Sequence, residues 1–520
     1  MRKLMLLALL TLPGLSIAFS ANGLRIQESL VMHSRILNQD IRFSVCLPQD
    51  YYSAGKSFPV VYLLHGLGDD ETAWLEYGQI SQYADKAVAE KMAVPMIFVM
   101  PQGFRSYYVN DYKGTFLYED MFVKELVPYI DSIYRTLPDS RHRALMGYSM
   151  GGFGALNLHL KHPDVFGSTV PLSISIRTDK QYMTEDSSGW NKQWGRLFGG
   201  VGTIGEDRIT EYYKQNSPFH LLPGLNEAQI SKLNIYIDNG DKEQTLCRSN
   251  EELHILMRKL NIPHEFRVRD GGHSFQYWCS ALPEALRFIS DAFEGKSYQP
   301  DIQPMISLNA FPEKQVMRLT VQGKTAIACV PSEYDLGDRL YPVIYFIGEL
   351  NTIQQKSIAA LVGQEADDIK ACPMILVFLP GAASAQFDKI MPELEQKLRI
   401  RKGYKFRALM GYQASADAVS ALAIKQGQFG CCILSDGFLS VDSIAGLLSG
   451  RDPKSLESTS FYIDSPDKGN HYEGNGTAHM LLRDKDLSHE YRVRPGSGGF
   501  EWLIQGLPDI ISFATKRFHK

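Results

Sequence analysis

The chain is written twice, and this duplication limits its fold more than any other feature. FPVVYLLHGL (58–67) is matched by YPVIYFIGEL (341–350), and RALMGYSM (143–150) by RALMGYQA (407–414). IYIDNGDKE (235–243) is matched by FYIDSPDKG (461–469), and HEFRVRDGGHSFQYW (264–278) by HEYRVRPGSGGFEWL (489–503), all in the same order. At 520 residues the chain exceeds one ordinary core, so one folding unit used two times is the expectation. The second copy is the shorter, and most of the loss falls between its RALMGY strand and its acid-rich loop. In the first copy strands are expected near 41–47, 59–64, 95–100, 143–148, 168–173, 233–238 and 264–269. Helices are expected between them, for example over 128–135 and 250–260. The central strands are continuous apolar runs, as a parallel sheet covered on both faces requires. The class is α/β.

Gly147-Tyr148-Ser149-Met150-Gly151 follows the apolar run Arg143 to Tyr148 and precedes apolar residues at helical spacing, Phe153, Leu156 and Leu160. Strand, sharp turn and helix are the setting of a nucleophile elbow, in which a serine hydroxyl is lifted over a helix N-terminus. Such a serine needs a base within hydrogen-bond reach and an acid to orient the base. His273, after Gly271-Gly272 at the end of a strand, is the candidate base. The second copy serves as an internal control. Ser149 becomes Gln413 there and His273 becomes Gly498, whereas His264 is retained as His489. Asp238 and Asp241 are kept as Asp464 and Asp467, but Glu243 becomes Gly469. Glu243 is therefore the expected acid and Asp241 the alternative. An oxyanion needs two N–H donors. They are expected from Met150 and from the turn His65-Gly66-Leu67-Gly68, with Leu67 as donor.

LLHGLGDDETAW (63–74), PQGFRSYY (101–108), ELVPYIDSIYR (125–135), GYSMGGFGALNLHLKHPDVFG (147–167) and GGHSFQYW (271–278) resemble the esterase D family of α/β-hydrolases. The family includes S-formylglutathione hydrolases, feruloyl esterases, enterochelin esterases and mycolyltransferases. The resemblance covers roughly 35–294. It implies a Ser-acid-His hydrolase with Ser149, Glu243 and His273, and backbone donors at Leu67 and Met150. The family's acid is usually Asp in a G-x-x-D pattern; Gly240-Asp241-Lys242-Glu243 places Glu there. The second copy resembles the same fold with each triad position replaced. Two tandem α/β-hydrolase domains are expected, 22–294 and 305–520, joined by 295–304, with the second inactive and packed on the first or binding a polymer.

Residues 176–226 are largely missing from the second copy and would cover the active end of the sheet. Trp190 and Trp194 from this segment, Tyr107 and Tyr108 from another loop, and His65 and Gly66 are candidate substrate contacts. Most of these aromatics also fit a cap core. Residues 1–21, with Arg2-Lys3, an apolar run and small residues to Ala21, read as a secretory signal. Export is expected, without stable membrane insertion, and favours acyl esters such as feruloyl or acetyl groups on polysaccharide over a cytosolic thioester. An acyltransferase and a non-catalytic binding module are the competing readings. A net charge of −4 gives no footprint for nucleic acid. No cofactor motif and no metal-ligand spacing is evident. Among the seven cysteines, Cys46 and Cys329 sit at matching strand positions and read as buried. Cys247 and Cys279, each just past a candidate triad residue, are a candidate disulfide in an oxidising compartment.

Overall fold

A computed structural model describes residues 25–300, 310–449 and 452–519. The proposed signal (1–21) and residues 301–304 of the joint lie outside them. The first half contributes β1 (Ile26–Ser34), β2 (Gln39–Cys46), β3 (Val60–Leu64), β4 (Ile97–Pro101), β5 (Arg143–Tyr148), β6 (Ser168–Leu172), β7 (Tyr236–Gly240) and β8 (Glu265–Arg269). The second contributes β9 (Val316–Val321), β10 (Lys324–Cys329), β11 (Val343–Ile347), β12 (Ile375–Leu379), β13 (Arg407–Tyr412), β14 (Cys431–Ser435), β15 (Ser460–Pro466) and β16 (His489–Arg494). All sixteen form one sheet, in the order β1-β2-β4-β3-β5-β6-β7-β8-β16-β15-β14-β13-β11-β12-β10-β9. Each half has the same internal order. Within each, the two outer pairings are antiparallel and the rest parallel. This is an α/β-hydrolase-like fold with a large mixed sheet.

Six helices frame the elbows and the join between the halves: α1 (Met150–Lys161), α2 (Thr245–Lys259), α3 (Phe275–Phe293), α4 (Ala416–Gln426), α5 (Tyr472–Asp484) and α6 (Phe500–Phe518). The strand β3 explains why central runs are apolar throughout. Val60, Tyr62 and Leu64 face a core shared with α1 and α2, and Val61 and Leu63 face one built on α3. Both faces are dry, so no position is left for a polar residue. The sheet positions expected from sequence agree with those observed to within a few residues. β1 is not among the expected strands, because IQESLVMHS is an exposed edge strand with no clean alternation. No helix among the described residues is long and apolar enough to cross a membrane.

The halves meet where β8 and β16 pair antiparallel at Val268 and Val493, two corresponding residues. Across this join, equivalent positions make reciprocal contacts, as at a two-fold interface. Arg267 pairs with Asp467, and Arg492 with Asp241 at 2.7 Å. His254 on α2 touches His264 at 2.8 Å, and His479 on α5 touches His489 at 2.9 Å, which fixes the register of the two helices. In that register Arg248 corresponds to Glu473 and Lys259 to Asp484. The observed pairs are Arg248 with Asp484, and Lys259 with Glu473 at 2.6 Å. Both charges have been reversed in the second half, so unlike charges meet. The buried Glu251 faces its counterpart Gly476, where a Cβ would lie 2.6 Å from Glu251 Oε2.

Cys247 and Cys279 are both free, which corrects the expected disulfide. Cys247 Sγ lies 3.0 Å from His479 Nε2 in the join, while Cys279 points at the carbonyls of Tyr77 and Gly78. Cys46 and Cys329 are both buried at the ends of corresponding strands.

Lys259 and Glu473 are each about half exposed, so reversing one should cost less than about 1 kcal/mol. A double-mutant cycle in urea unfolding is expected to show Lys259→Glu and Glu473→Lys each destabilising, with the double swap restoring most of the loss. Burial raises the Glu251 carboxyl to about 8. A glutamate in the unfolded chain titrates at about 4.3. Between these values the folded protein holds a proton that the unfolded chain has released, so this group lowers stability as pH rises. Glu251→Gln is expected to flatten the fall in Tm between about pH 5 and pH 8.

Candidate active site

All six residues of β5 are buried, and the strand runs straight into α1 through Ser149. Ser149 has φ 57° and ψ −118°, a conformation few non-glycine residues adopt. The turn closes because its flanks carry no side chain. A Cβ at Gly147 would lie 2.4 Å from the Gly151 carbonyl oxygen, and one at Gly151 would lie 2.1 Å from that of Leu64. The backbone is pinned by bonds from Ser149 N to Leu172 O and from Ser175 N to Ser149 O, both 3.0 Å. The serine hydroxyl is thus held above the N-terminus of α1 at the carboxyl edge of the sheet.

Two further loops at the same edge reach it. His273 follows β8, and its Nε2 lies 2.9 Å from Ser149 Oγ. Its Nδ1 lies 2.9 Å from Glu243 Oε2, on the loop after β7. The imidazole is backed by Trp278 in edge-on contact at 5.1 Å, and Trp278 stacks on Tyr148 at 4.1 Å. The indole N–H of Trp278 donates to Ser173 Oγ at 2.9 Å, so the ring that supports His273 is itself fixed. Glu243 is 2% exposed, whereas the His273 side chain is 40% exposed, so the base faces the cleft and the acid lies beneath. Asp241, the alternative acid, turns the other way. It is fully buried on Arg492 and does not touch His273.

Among the described residues nothing accepts a hydrogen bond from the backbone N–H of Leu67 or of Met150. The Gly66 turn lies against the nucleophile loop: a Cβ at Gly66 would be 2.5 Å from the Tyr148 ring and 3.4 Å from Ser149 Cβ. His65 is buried and does not reach the cleft, contrary to expectation. Its Nδ1–H donates to Gly66 O at 2.8 Å and its Nε2 accepts from Gly103 N at 2.7 Å. Burial pushes its pKa down, which keeps the ring neutral and both bonds in place. His65 thus fixes the shape of the turn that carries Leu67.

A cleft of about 580 Å³ opens over Ser149 and His273, with Tyr107 and Trp194 in its wall. Tyr108 and Trp190 are not in it. Tyr108 is buried beneath the loop, donating to His65 O at 3.1 Å, and Trp190 is buried in the cap, donating to Gly200 O at 2.7 Å. Trp190 and Trp194 both pack on Tyr182, and this aromatic group continues through Tyr107 and Phe153 into the core over α1. Sequence reasoning missed Ser175, Arg177 and Gln193, which line the cleft. Tyr107 OH, Ser175 Oγ and the Gln193 amide form a polar chain with links of 3.1 and 2.9 Å. The position of Ser175 and Arg177 just past β6, beside the elbow, was the available signal.

Residues 34–289 match the model of the family described as "Putative esterase". A diacylglycerol acyltransferase/mycolyltransferase, Ag85B of Mycobacterium avium, is 30% identical over 321 residues, covering 53% of this chain and 88% of that protein. The chain belongs to this esterase family. An esterase of Mycobacterium tuberculosis is 27% identical over 260 residues, 45% of this chain and 52% of the relative. An endo-1,4-beta-xylanase/feruloyl esterase of Xylanibacter ruminicola is 35% identical over 135 residues, 24% of this chain and 18% of the relative. The chain thus spans about half the length, or less, of the first curated relatives it matches.

The esterase-family match ends before the second half, which keeps the elbow's backbone and little of its chemistry. Gln413, at the place of Ser149, also has a positive φ of 49°. Its amide donates to Asp436 Oδ2 at 3.0 Å. The same oxygen accepts from Gly499 N at 2.9 Å, and a Cβ at Gly498 would lie 2.4 Å from Asp436 Oδ1. Asp436 therefore occupies the space where a histidine would stand. Gly151→Ala in the first half forces a methyl group onto the backbone of Leu64 and His65. A loss of roughly 1–3 kcal/mol is expected in thermal or urea unfolding.

Proposed function

We propose that the chain hydrolyses carboxylic esters through an acyl-enzyme on Ser149. The supporting observation is the continuous line of contacts, 2.9 Å each, from Ser149 Oγ through His273 to Glu243. Ser149 Oγ attacks the ester carbonyl while His273 Nε2 takes its proton. The tetrahedral oxyanion accepts the unclaimed N–H groups of Leu67 and Met150, a contribution typically worth ~10²–10³ per donor in turnover. As the intermediate collapses, His273 returns the proton to the leaving alkoxide. Water then repeats the cycle, releasing the acid and freeing Ser149. Glu243 holds the Nδ1–H of His273, so that Nε2 faces the serine and the imidazolium is stabilised once formed.

The proposed substrates are feruloyl or acetyl esters of polysaccharides. The cleft wall is shaped by the buried rings of Tyr107 and Trp194, and one relative carries a xylanase/feruloyl esterase name. Residues 1–21 are proposed to direct export. Residues 22–294 are proposed as the catalytic domain and 305–520 as an α/β-hydrolase copy that performs no chemistry, since Gln413 and Gly498 offer neither nucleophile nor base. A second reading, transfer of the acyl group to a sugar hydroxyl, is supported by the relation to a mycolyltransferase over most of that protein's length.

Ser149→Ala is expected to lower hydrolysis of p-nitrophenyl acetate by roughly 10⁴-fold or more. Full activity in that variant would defeat the reading. Incubation with feruloylated and acetylated xylo-oligosaccharides, with and without an added sugar acceptor, separates the outcomes. Free acid is the expected product, and an acylated acceptor would establish transfer.

A further inference from the structure

We propose that the second half of the chain is a positioning element for the esterase site, acting through Arg492 and Arg483 on Asp241. The inference rests on the reading of Ser149, His273 and Glu243 as the reacting groups.

Glu243 and His273 stand on the loops after β7 and β8, the last two strands of the first half. Asp241, two residues before Glu243, links these loops to each other and to the second half. Its Oδ1 accepts the N–H of Gly271, two residues before His273, at 3.1 Å. Its Oδ2 accepts from Arg492 Nη1 at 2.7 Å and from the backbone N–H of Tyr491 at 3.2 Å, both on β16. The Arg483 guanidinium, from α5, donates to the backbone carbonyl of Asp241. The loops are stitched directly as well, by Lys242 N to Gly271 O at 2.8 Å. A single carboxylate, buried at 0% exposure beside an arginine at 10%, therefore adds to this direct bond a link that ties the loop of the acid and the loop of the base to the second half. Removing Arg492 leaves the buried Asp241 carboxylate without its ion-pair partner, while neutralising Asp241 leaves Arg492 to Glu490 at 2.6 Å and Asp270 at 3.9 Å; in either case the loops would shift against each other.

The mirror arrangement shows what this clamp does where no chemistry follows. Asp467 accepts from Gly496 N at 2.9 Å and pairs with Arg267 of the first half. The loops it joins lead to Gly469 and Gly498. The clamp thus belongs to the way the halves fit together, and on one side only it lies two residues from an acid and two from a base. Misplacing reacting groups by about 1 Å can cost on the order of 10²-fold in rate. Effects on turnover should therefore be one-sided, although effects on stability are not.

The test uses the full chain with p-nitrophenyl acetate, at a temperature where circular dichroism shows each variant folded. Asp241→Asn and Arg492→Gln are expected to lower kcat roughly 10- to 100-fold with KM changed less than about 2-fold. Arg492→Lys keeps a cationic donor for Asp241 Oδ2 and is expected to recover most of the loss. Asp467→Asn, the mirror substitution, is expected to lower Tm and leave kcat unchanged. Should Arg492→Gln not fold, Arg483→Gln decides, since it removes one bond to the Asp241 carbonyl without stranding the carboxylate; a loss of a few-fold in kcat is expected. Unchanged kcat in Asp241→Asn and Arg492→Gln, or in Arg483→Gln where it decides, would overturn the inference. So would equal losses in Asp241→Asn and Asp467→Asn. An inactive Ser149→Ala beside unaffected clamp variants removes only this inference, while an active Ser149→Ala removes the reading of the site beneath it.

Discussion

The pairing of β8 with β16 is the contact on which the rest of the molecule depends. A half alone would end in β8, an open edge strand with unpaired backbone groups, beside the two loops that carry Glu243 and His273. Joining the two edges at Val268 and Val493 turns two sheets into one. It also buries two reciprocal Arg–Asp pairs, Arg267 with Asp467 and Arg492 with Asp241. Buried ion pairs are weak sources of net stability, because desolvation offsets much of the attraction. Their geometric demand is strict, however, and the Arg492–Asp241 pair places it on the loop that carries Glu243.

The join also selects its partner. Two first halves placed face to face in this way would set Arg248 against Lys259 and Glu251 against Glu251. Two second halves would set Glu473 against Asp484. Only the mixed pair brings unlike charges together and gives the Glu251 side chain the empty space of Gly476. Like-charge contacts and a steric clash thus work against the wrong pairings, while a modest attraction supports the right one. The exposed charge pairs add little energy, so their effect lies in discrimination.

The two elbows share a strained backbone residue, and only one of them carries a nucleophile. Ser149 and Gln413 both hold positive φ, at 57° and 49°. In the first half the strain lifts a hydroxyl towards His273. In the second, Gln413 and Gly499 both donate to Asp436, and the space is filled. The turn persists because strand and helix on either side require that connection, whatever side chain stands on it.

Much of this was legible in the sequence, and the residues show why. Apolar runs such as VVYLL located the central strands because burial on both faces leaves no room for polar residues. Comparing the two copies separated Glu243, lost as Gly469, from Asp241, kept as Asp467. It also separated His273, lost as Gly498, from His264, kept as His489, and the two kept histidines sit in matched histidine contacts. What the sequence could not settle was direction and partnership. Tyr107 and Tyr108 are adjacent and alike, yet one lines the cleft and the other lies under it, because a single loop turns between them. Trp190 and Trp194 divide in the same way. Cys247 and Cys279 looked ready to pair, but they lie on helices with different neighbours. That Asp241 binds an arginine some 250 residues away is a fact of tertiary structure alone. Local pattern fixes which residues are buried and which chemistry is on offer, since both follow from near neighbours along the chain. Which groups finally touch depends on how distant segments close on one another, and only the folded molecule decides that.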